Sequence, residues 1–223
     1  MSRLIVVALA LLVVASSPTI ATSVAQATPT QWEPAIRAFE AADIAAPPAK
    51  GGIVFIGSSS IRLWTSLATD FPGMPVMNRG FGGSQLPEVT AYVDRIVTPY
   101  QPRQVVVYCG GNDIDGGRKP LEVLADYQAL VRAIRAGSPM VRIAYISIAP
   151  NPARWPQIEQ VRLTNQIIKA WTATDPRLTY IDVHAAMLNS DGLPKPDIFV
   201  ADRLHMNSKG YAIWRAIVGP HLR

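Results

Sequence analysis

Three consecutive hydroxyls, Ser58-Ser59-Ser60, follow four apolar β-formers, Ile53-Val54-Phe55-Ile56, and a glycine, Gly57. That pattern predicts a buried strand that stops at a tight turn, with serines at the start of the next helix. A serine in such a place either caps the helix through a backbone N–H or acts as a nucleophile. The nucleophilic role needs a base, and the base in turn needs an orienting acid. Of the chain's 3 histidines, His184 directly follows a predicted strand and His221 lies near the end of the sequence. His205 stands three residues after Asp202. In a turn that spacing lets the carboxylate meet Nδ1–H and leaves Nε2 free to face a serine.

Acyl transfer also needs donors fixed where negative charge develops on the former carbonyl oxygen. Gly83, in Gly80-Phe81-Gly82-Gly83, offers a backbone N–H that no side chain obstructs. Asn112, in Gly111-Asn112-Asp113, offers a side-chain amide, and the N–H of Ser59 itself is a third donor. Each motif alone has a plain alternative: a turn that needs positive φ, a helix cap, a loop hydrogen bond. Their occurrence in this order, each after a predicted strand, is what those alternatives leave unexplained.

The same residues resemble the SGNH or GDSL hydrolases, a family of esterases and lipases named for a Ser, Gly, Asn and His in four sequence blocks. Gly57-Ser58-Ser59 matches the first block, 78–84 the second, Gly111-Asn112-Asp113 the third, and Asp202-Arg203-Leu204-His205-Met206-Asn207 the last. The resemblance implies Ser59 as nucleophile, with Ser60 the alternative, and His205 as base oriented by Asp202. It implies an oxyanion hole from Ser59, Gly83 and Asn112, and a three-layer α/β/α sandwich on a flavodoxin-like five-stranded parallel sheet. The activity implied is that of a serine esterase forming an acyl-enzyme. Short-acyl carboxylic esters, such as those of an O-acetylated carbohydrate, are the expected substrates, because the chain has no insertion long enough for a lid and its site loops carry Arg79, Asn112, Asn151 and Arg154 in place of an apolar cluster. A lysophospholipase, a thioesterase or an acyltransferase on the same triad, and a non-catalytic binding module, are the alternatives. In one respect the chain departs from the family: Ser58 stands where the Gly-Asp-Ser block has an aspartate.

The elements that must position these residues alternate along the chain. Short apolar runs at 53–56, 75–78, 104–108, 141–148 and 178–181 are separated by amphipathic segments at 86–97, 121–136 and 157–172. A first helix over 30–46 carries Trp32, Ile36, Phe39 and Ile44 on one side, and a last one over 208–222 buries Tyr211, Ile213, Trp214, Ile217 and Val218. Such alternation predicts an α/β domain with a parallel sheet and helices on both faces. In that architecture ligands bind beyond the carboxyl ends of the strands, where the candidate residues lie. Trp64, Arg79, Arg154 and Trp155 are further candidates to line the substrate pocket. The α/β-hydrolase fold is disfavoured, because it needs a Gly-x-Ser-x-Gly elbow and 57–61 lacks the second glycine.

Composition narrows the class further. Net charge is +5, but Arg62, Arg79, Arg95, Arg103 and Arg132 are scattered, and a nucleic-acid footprint needs a basic patch. The single cysteine, Cys109, permits no internal disulfide and ends an apolar run where a thiol usually packs. No His/Cys/Asp/Glu cluster has metal-ligand spacing and no phosphate-binding loop precedes a lysine, so no cofactor is expected. Residues 1–27 combine Arg3, an apolar run of about a dozen residues and Ala25-Gln26-Ala27, the pattern of a secretory signal peptide rather than a span of about 20 residues. A secreted or periplasmic domain over 28–223, with no transmembrane segment and a small ester as its partner, is the expectation.

Overall fold

The computed structural model describes residues 30–223, and the expected leader at 1–27 lies outside them. The five strands are β1 (Ile53–Gly57), β2 (Val76–Gly80), β3 (Gln104–Tyr108), β4 (Arg142–Ile146) and β5 (Leu178–Ile181). They form one sheet in the order β2-β1-β3-β4-β5, parallel throughout. Every residue of β1 is buried, as expected of a central parallel strand covered on both faces. Side chains alternate across the sheet: Val54 and Ile56 enter one core, Ile53 and Phe55 the other.

The first core is closed by α1 (Glu33–Ala45), α4 (Leu86–Ala91), α5 (Val93–Ile96), α7 (Pro120–Gly137) and α8 (Ile158–Thr172). The second is closed by α2 (Ser59–Arg62), α3 (Leu67–Asp70) and α9 (Ser208–Val218), with the irregular segment that carries Met187 and Ile198. A short α6 (Gly111–Asp115) caps the end of β3. The parallel sheet with helices on both faces expected from the alternation, and the three-layer sandwich implied by the resemblance, are therefore the observed fold. Among the described residues no helix is long and apolar enough to cross a membrane.

Several boundaries differ from the sequence reading. The helix expected over 86–97 is two, α4 and α5, because Tyr92 N–H bonds back to Val89, three residues away, and closes the first in a tight turn. Ile44 is 83% exposed; eight residues beyond the buried Ile36, it is rotated by about 80° around α1. The last helix stops at Val218, where Gly219–His221 continues as a 3₁₀ turn.

Two residues expected at the pocket are instead structural. Trp64 is fully buried among Phe55, Phe71, Tyr211 and Trp214, and its indole N–H donates to Asp70 Oδ2 at 2.6 Å. Arg79 follows Asn78 on β2 and so points to the opposite face of the sheet. There it is buried between the rings of Phe39 and Tyr100, donates to Tyr100 Oη at 2.9 Å and pairs with Asp43. It fastens α1 to the edge of the sheet and does not line the cleft that holds Ser59.

Truncating Trp64 removes the centre of the aromatic cluster and leaves Asp70 without its indole donor. Trp64→Ala should therefore cost about 4 kcal/mol and lower Tm by roughly 10 °C in thermal unfolding followed by circular dichroism. A variant melting with the wild type would show that the cluster is not what holds α2, α3 and α9 together.

Candidate active site

The chain leaves β1 toward β2 on one side and enters β3 on the other, so the loops after β1 and β3 diverge and open a crevice between them. Gly57 makes the first loop possible. Its φ is +129°, and a Cβ there would lie 1.9 Å from the Tyr108 carbonyl oxygen, so no other residue lets β1 end so close to β3. Ser58 then donates its N–H to Tyr108 O at 3.1 Å and accepts from Ile61 and Arg62, which starts α2 at Ser59. Asn78 locks this turn from the end of β2 by donating to Ile61 O at 2.6 Å.

The partner of Ser59 comes from the far end of the chain. Backbone bonds from Val200 N to His205 O at 2.9 Å and from Asn207 N to Ile198 O at 3.0 Å fold 198–207 into a short hairpin. At its tip Asp202 Oδ1 accepts the N–H groups of Leu204 and His205, each at 2.9 Å. This leaves Oδ2 for His205 Nδ1 at 2.6 Å. His205 Nε2 then stands 2.8 Å from Ser59 Oγ. Burial pushes the Asp202 carboxyl up, but the bonds from the His205 ring and the two backbone N–H groups outweigh it and hold its pKa at about 2. A charged carboxylate thus faces Nδ1 at all ordinary pH, which fixes the imidazole with Nε2 ready to accept the serine proton.

The other candidate residues, Gly83 and Asn112, sit next to each other. The loop after β2 rests on Trp32: a Cβ on Gly82, where φ is +43°, would fall 1.8 Å from its ring. The exposed Gly83 that follows has no acceptor for its N–H among the described residues, and a Cβ on it would lie 3.7 Å from Asn112 Nδ2. Asn112 Nδ2 donates one hydrogen to Ser84 O at 3.1 Å, leaving the other for a ligand. At the first position of α2, the Ser59 N–H has no intrahelical acceptor. Ser59 and Asn112 line one cleft, and Gly83 adjoins the Asn112 amide, so three N–H donors without a full set of partners are grouped in the loops after β1, β2 and β3.

Sequence reasoning missed what holds Asn112. Arg154, expected to contact substrate, donates from Nη1 to Asn112 Oδ1 at 2.9 Å and pairs through Nη2 with Asp115 at 3.0 Å. An amide whose oxygen is taken by a guanidinium must present its NH₂ to Ser84 and the cleft. Asp113 is the second missed residue. It is fully buried, and its Oδ1 accepts the Leu86 N–H at 2.9 Å, tying the start of α4 to α6. Burial raises its pKa to about 6, against the pull of that backbone bond. No signal along the chain pairs either residue with its partner, because both contacts cross between loops far apart in sequence. Cys109 is also buried, with Sγ donating to Ser84 O at 3.3 Å. Burial first, and Asp113 next, push its thiol well up, so thiolate chemistry is suppressed. Trp155 lies outside the catalytic cleft and lines a neighbouring groove.

The cleft over Ser59 is small, with a volume of about 30 Å³, and is walled by Asn112, Arg154 and His205 together with Ile148, Met187 and Phe199. Among the described residues no group of three or more His, Cys, Asp or Glu could hold a metal ion.

A hydroxyl, an imidazole and a carboxylate in series, at the switch point of a parallel sheet, have the form of an acyl-transfer site. The sequence matches the GDSL-like Lipase/Acylhydrolase family over residues 57–213, and the chain belongs to that family. The human platelet-activating factor acetylhydrolase IB subunit alpha1 is 27% identical over 172 residues, 71% of this chain and 70% of that protein. Two solved structures share the fold. A Streptococcus pneumonia protein named for platelet activating factor superposes with a TM-score of 0.76 at 19% identity, over 87% of this chain and 94% of its own. A GDSL-like lipase from Bacteroides thetaiotaomicron superposes with a TM-score of 0.69 at 17% identity, over 83% and 96%.

Two measurements test these supporting contacts. Asn112→Ala should lower kcat on p-nitrophenyl acetate by roughly 10²–10³-fold with KM little changed, and Arg154→Met by roughly 10- to 100-fold. The double variant should be scarcely worse than Asn112→Ala, because both changes remove one donor; additive losses would mean that Arg154 acts on its own. For Asp113 the test is pH. Its carboxyl titrates near about 4 in the unfolded chain and at about 6 in the folded one. Between these values the folded state holds more protons, and stability falls as pH rises. Asp113→Asn keeps an acceptor for Leu86 and removes the titration, so the Tm of the variant relative to wild type should climb from about pH 4 to about pH 7.

Proposed function

We propose that this chain is a serine acylhydrolase that cleaves short-acyl carboxylic esters through an acyl-enzyme. The observation that carries the reading is the series Ser59 Oγ, His205 Nε2 and Nδ1, Asp202 Oδ2, at 2.8 and 2.6 Å. Ser59 Oγ attacks the carbonyl carbon as its proton passes to His205 Nε2. The oxyanion is received by the N–H groups of Ser59 and Gly83 and by Asn112 Nδ2. Collapse breaks the bond to the alcohol oxygen, which takes the proton from His205. Water then gives a proton to His205 as its oxygen attacks the acyl carbon, and collapse breaks the bond from that carbon to Ser59 Oγ, which takes the proton back from His205 as the carboxylic acid leaves.

The short acyl group is supported by the size of the cleft, about 30 Å³, which leaves no room to bury a chain at about 0.8 kcal/mol per CH₂. The acetyl group in the name of the 27%-identical relative points the same way. An O-acetylated carbohydrate fits the polar residues Asn112, Asn151 and Arg154 at the cleft. Ser59 is preferred to Ser60 because its hydroxyl stands 2.8 Å from His205 Nε2, whereas no hydrogen bond joins Ser60 to His205 among the described residues. The leader read in residues 1–27 makes a secreted or periplasmic location part of the proposal.

Ser59→Ala should lose on the order of 10⁴-fold or more in kcat and all labelling by a fluorophosphonate, while Ser60→Ala keeps both. Across p-nitrophenyl esters, kcat/KM should be highest from acetate to butyrate and fall toward laurate. A dead Ser60→Ala beside an active Ser59→Ala would shift the nucleophile by one residue, and a rise toward laurate would replace the short-acyl reading with a lipase.

A further inference from the structure

A groove of about 320 Å³, near the lower end of the range for small-molecule sites, ~300 Å³, lies beside the catalytic cleft. Phe199 lines both. The loop after β4 also serves both: Asn151 and Arg154 line the cleft, and Pro152 and Trp155 the groove. Leu193 and Pro194 form the other wall, and Leu193 is 46% exposed. Arg203 completes the lining, from the tip of the hairpin that carries Asp202 and His205.

Arg203 is unusual in two ways. Its φ is +59°, a left-handed conformation disfavoured for a residue with a Cβ. Two backbone bonds hold it there, from its own N–H to Val200 O at 2.9 Å and from Ala153 N–H to its carbonyl at 3.2 Å. The second fastens the hairpin tip to the very loop that supplies Pro152 and Trp155. Its guanidinium is exposed and has no acceptor among the described residues, whereas the adjacent Asp202 is committed to His205. Arg162, by contrast, is paired with Glu159 and sits 5.8 Å from the centre of the Trp155 ring.

The chemistry sets the direction in which a substrate must extend. The oxyanion faces Gly83 and Asn112, and the leaving oxygen must lie against His205 Nε2, which protonates it. The alcohol portion therefore emerges on the His205 side, over the hairpin, and the groove is what lies beyond. We propose that this groove is the alcohol-side subsite, and that it takes a leaving alcohol with a flat apolar body, packed against Trp155 and Phe199, and an anionic group paired with Arg203. The inference rests on the acylhydrolase reading and narrows its leaving group, putting acetyl-type esters of anionic aryl or similarly flat alcohols in place of a neutral carbohydrate.

The test compares 3-acetoxyphenylacetate with its neutral N-methylamide, which has the same acyl group and nearly the same leaving phenol. Wild type should favour the anionic ester by about tenfold in kcat/KM, the effect of one partly exposed charge-assisted hydrogen bond, and added salt should shrink the ratio. Arg203→Gln should bring the ratio to about one, and Arg203→Lys should keep part of it. Trp155→Ala should raise KM for both aryl esters more than for ethyl acetate. A wild-type ratio near one, or a ratio that Arg203→Gln leaves intact, overturns the subsite while acetate hydrolysis and fluorophosphonate labelling of Ser59 persist. Loss of those two in the wild type would instead sink the acylhydrolase reading itself, so the two failures are distinct. Should Arg203→Gln not fold, the wild-type ratio and Arg203→Lys still decide.

Discussion

Ser59 and His205 are 146 residues apart in sequence, and the site exists only because α2 and α9 dock on the same face of the sheet. One hydrogen bond joins the two helices at the critical point. Tyr211 Oη donates to Ser60 O at 2.9 Å, within the first turn of α2, while its ring stacks on Trp64 at 5.4 Å. Trp64 in turn meets Trp214 at 5.8 Å and Phe55 of β1 at 5.9 Å. The register of the serine turn against the hairpin before α9 is thus set by buried aromatic packing, with little contribution from the polar groups that react. A relay of two hydrogen bonds contributes little to holding elements together; a fully buried aromatic cluster contributes several kcal/mol. The second structure-forming contact at the hairpin is Asn207, which caps α9 by accepting from Lys209 N at 2.9 Å and donates to Phe199 O at 3.1 Å.

Much of this was legible in the sequence because it is local. Alternation of apolar runs with amphipathic segments yields the parallel sheet, and β3 and β5 fall at the expected residues. Spacing of three between Asp202 and His205 yields the turn that joins them. What was not legible depends on which side of an element a residue faces. Arg79 stands one position from Asn78, which reaches the serine turn, yet the two-residue period of β2 sends it to the opposite core. Trp64 stands five positions after Ser59 but lies at the inner end of the turn, so it packs under the site. Ile44 looked like a core residue from its type, and helical rotation carries it out of the buried face. Strand order, and with it the neighbourhood of Asn112 and Arg154, has no local signal at all.

The substitution of Ser58 for the family's aspartate is understandable in the same terms. Position 58 acts here through its backbone: the N–H binds Tyr108 and the carbonyl accepts two N–H groups of α2. None of these bonds involves the side chain. Ser58 is buried, and a small hydroxyl adds little desolvation cost where a carboxylate would need partners. The geometry that presents Ser59 therefore survives a change of residue at 58, as long as Gly57 remains able to approach β3.

Two carboxylates near the site have opposite environments, and the difference bears on the chemistry. Asp202 is partly exposed, with its side chain 47% accessible, yet three hydrogen bonds keep it ionised down to about pH 2. That suits the role proposed for it, orienting the His205 imidazole and stabilising the positive charge that would form there once it accepts the serine proton. Asp113, fully buried, holds its proton up to about 6. It follows directly on Asn112, where a negative charge would oppose the developing oxyanion if it faced the cleft. Its Oδ1 is turned to the Leu86 N–H at the start of α4, so the charge it acquires near neutral pH is met by a backbone donor. The chain thus places one carboxylate against the His205 imidazole, where its charge stays permanent, and buries the other between α6 and the start of α4.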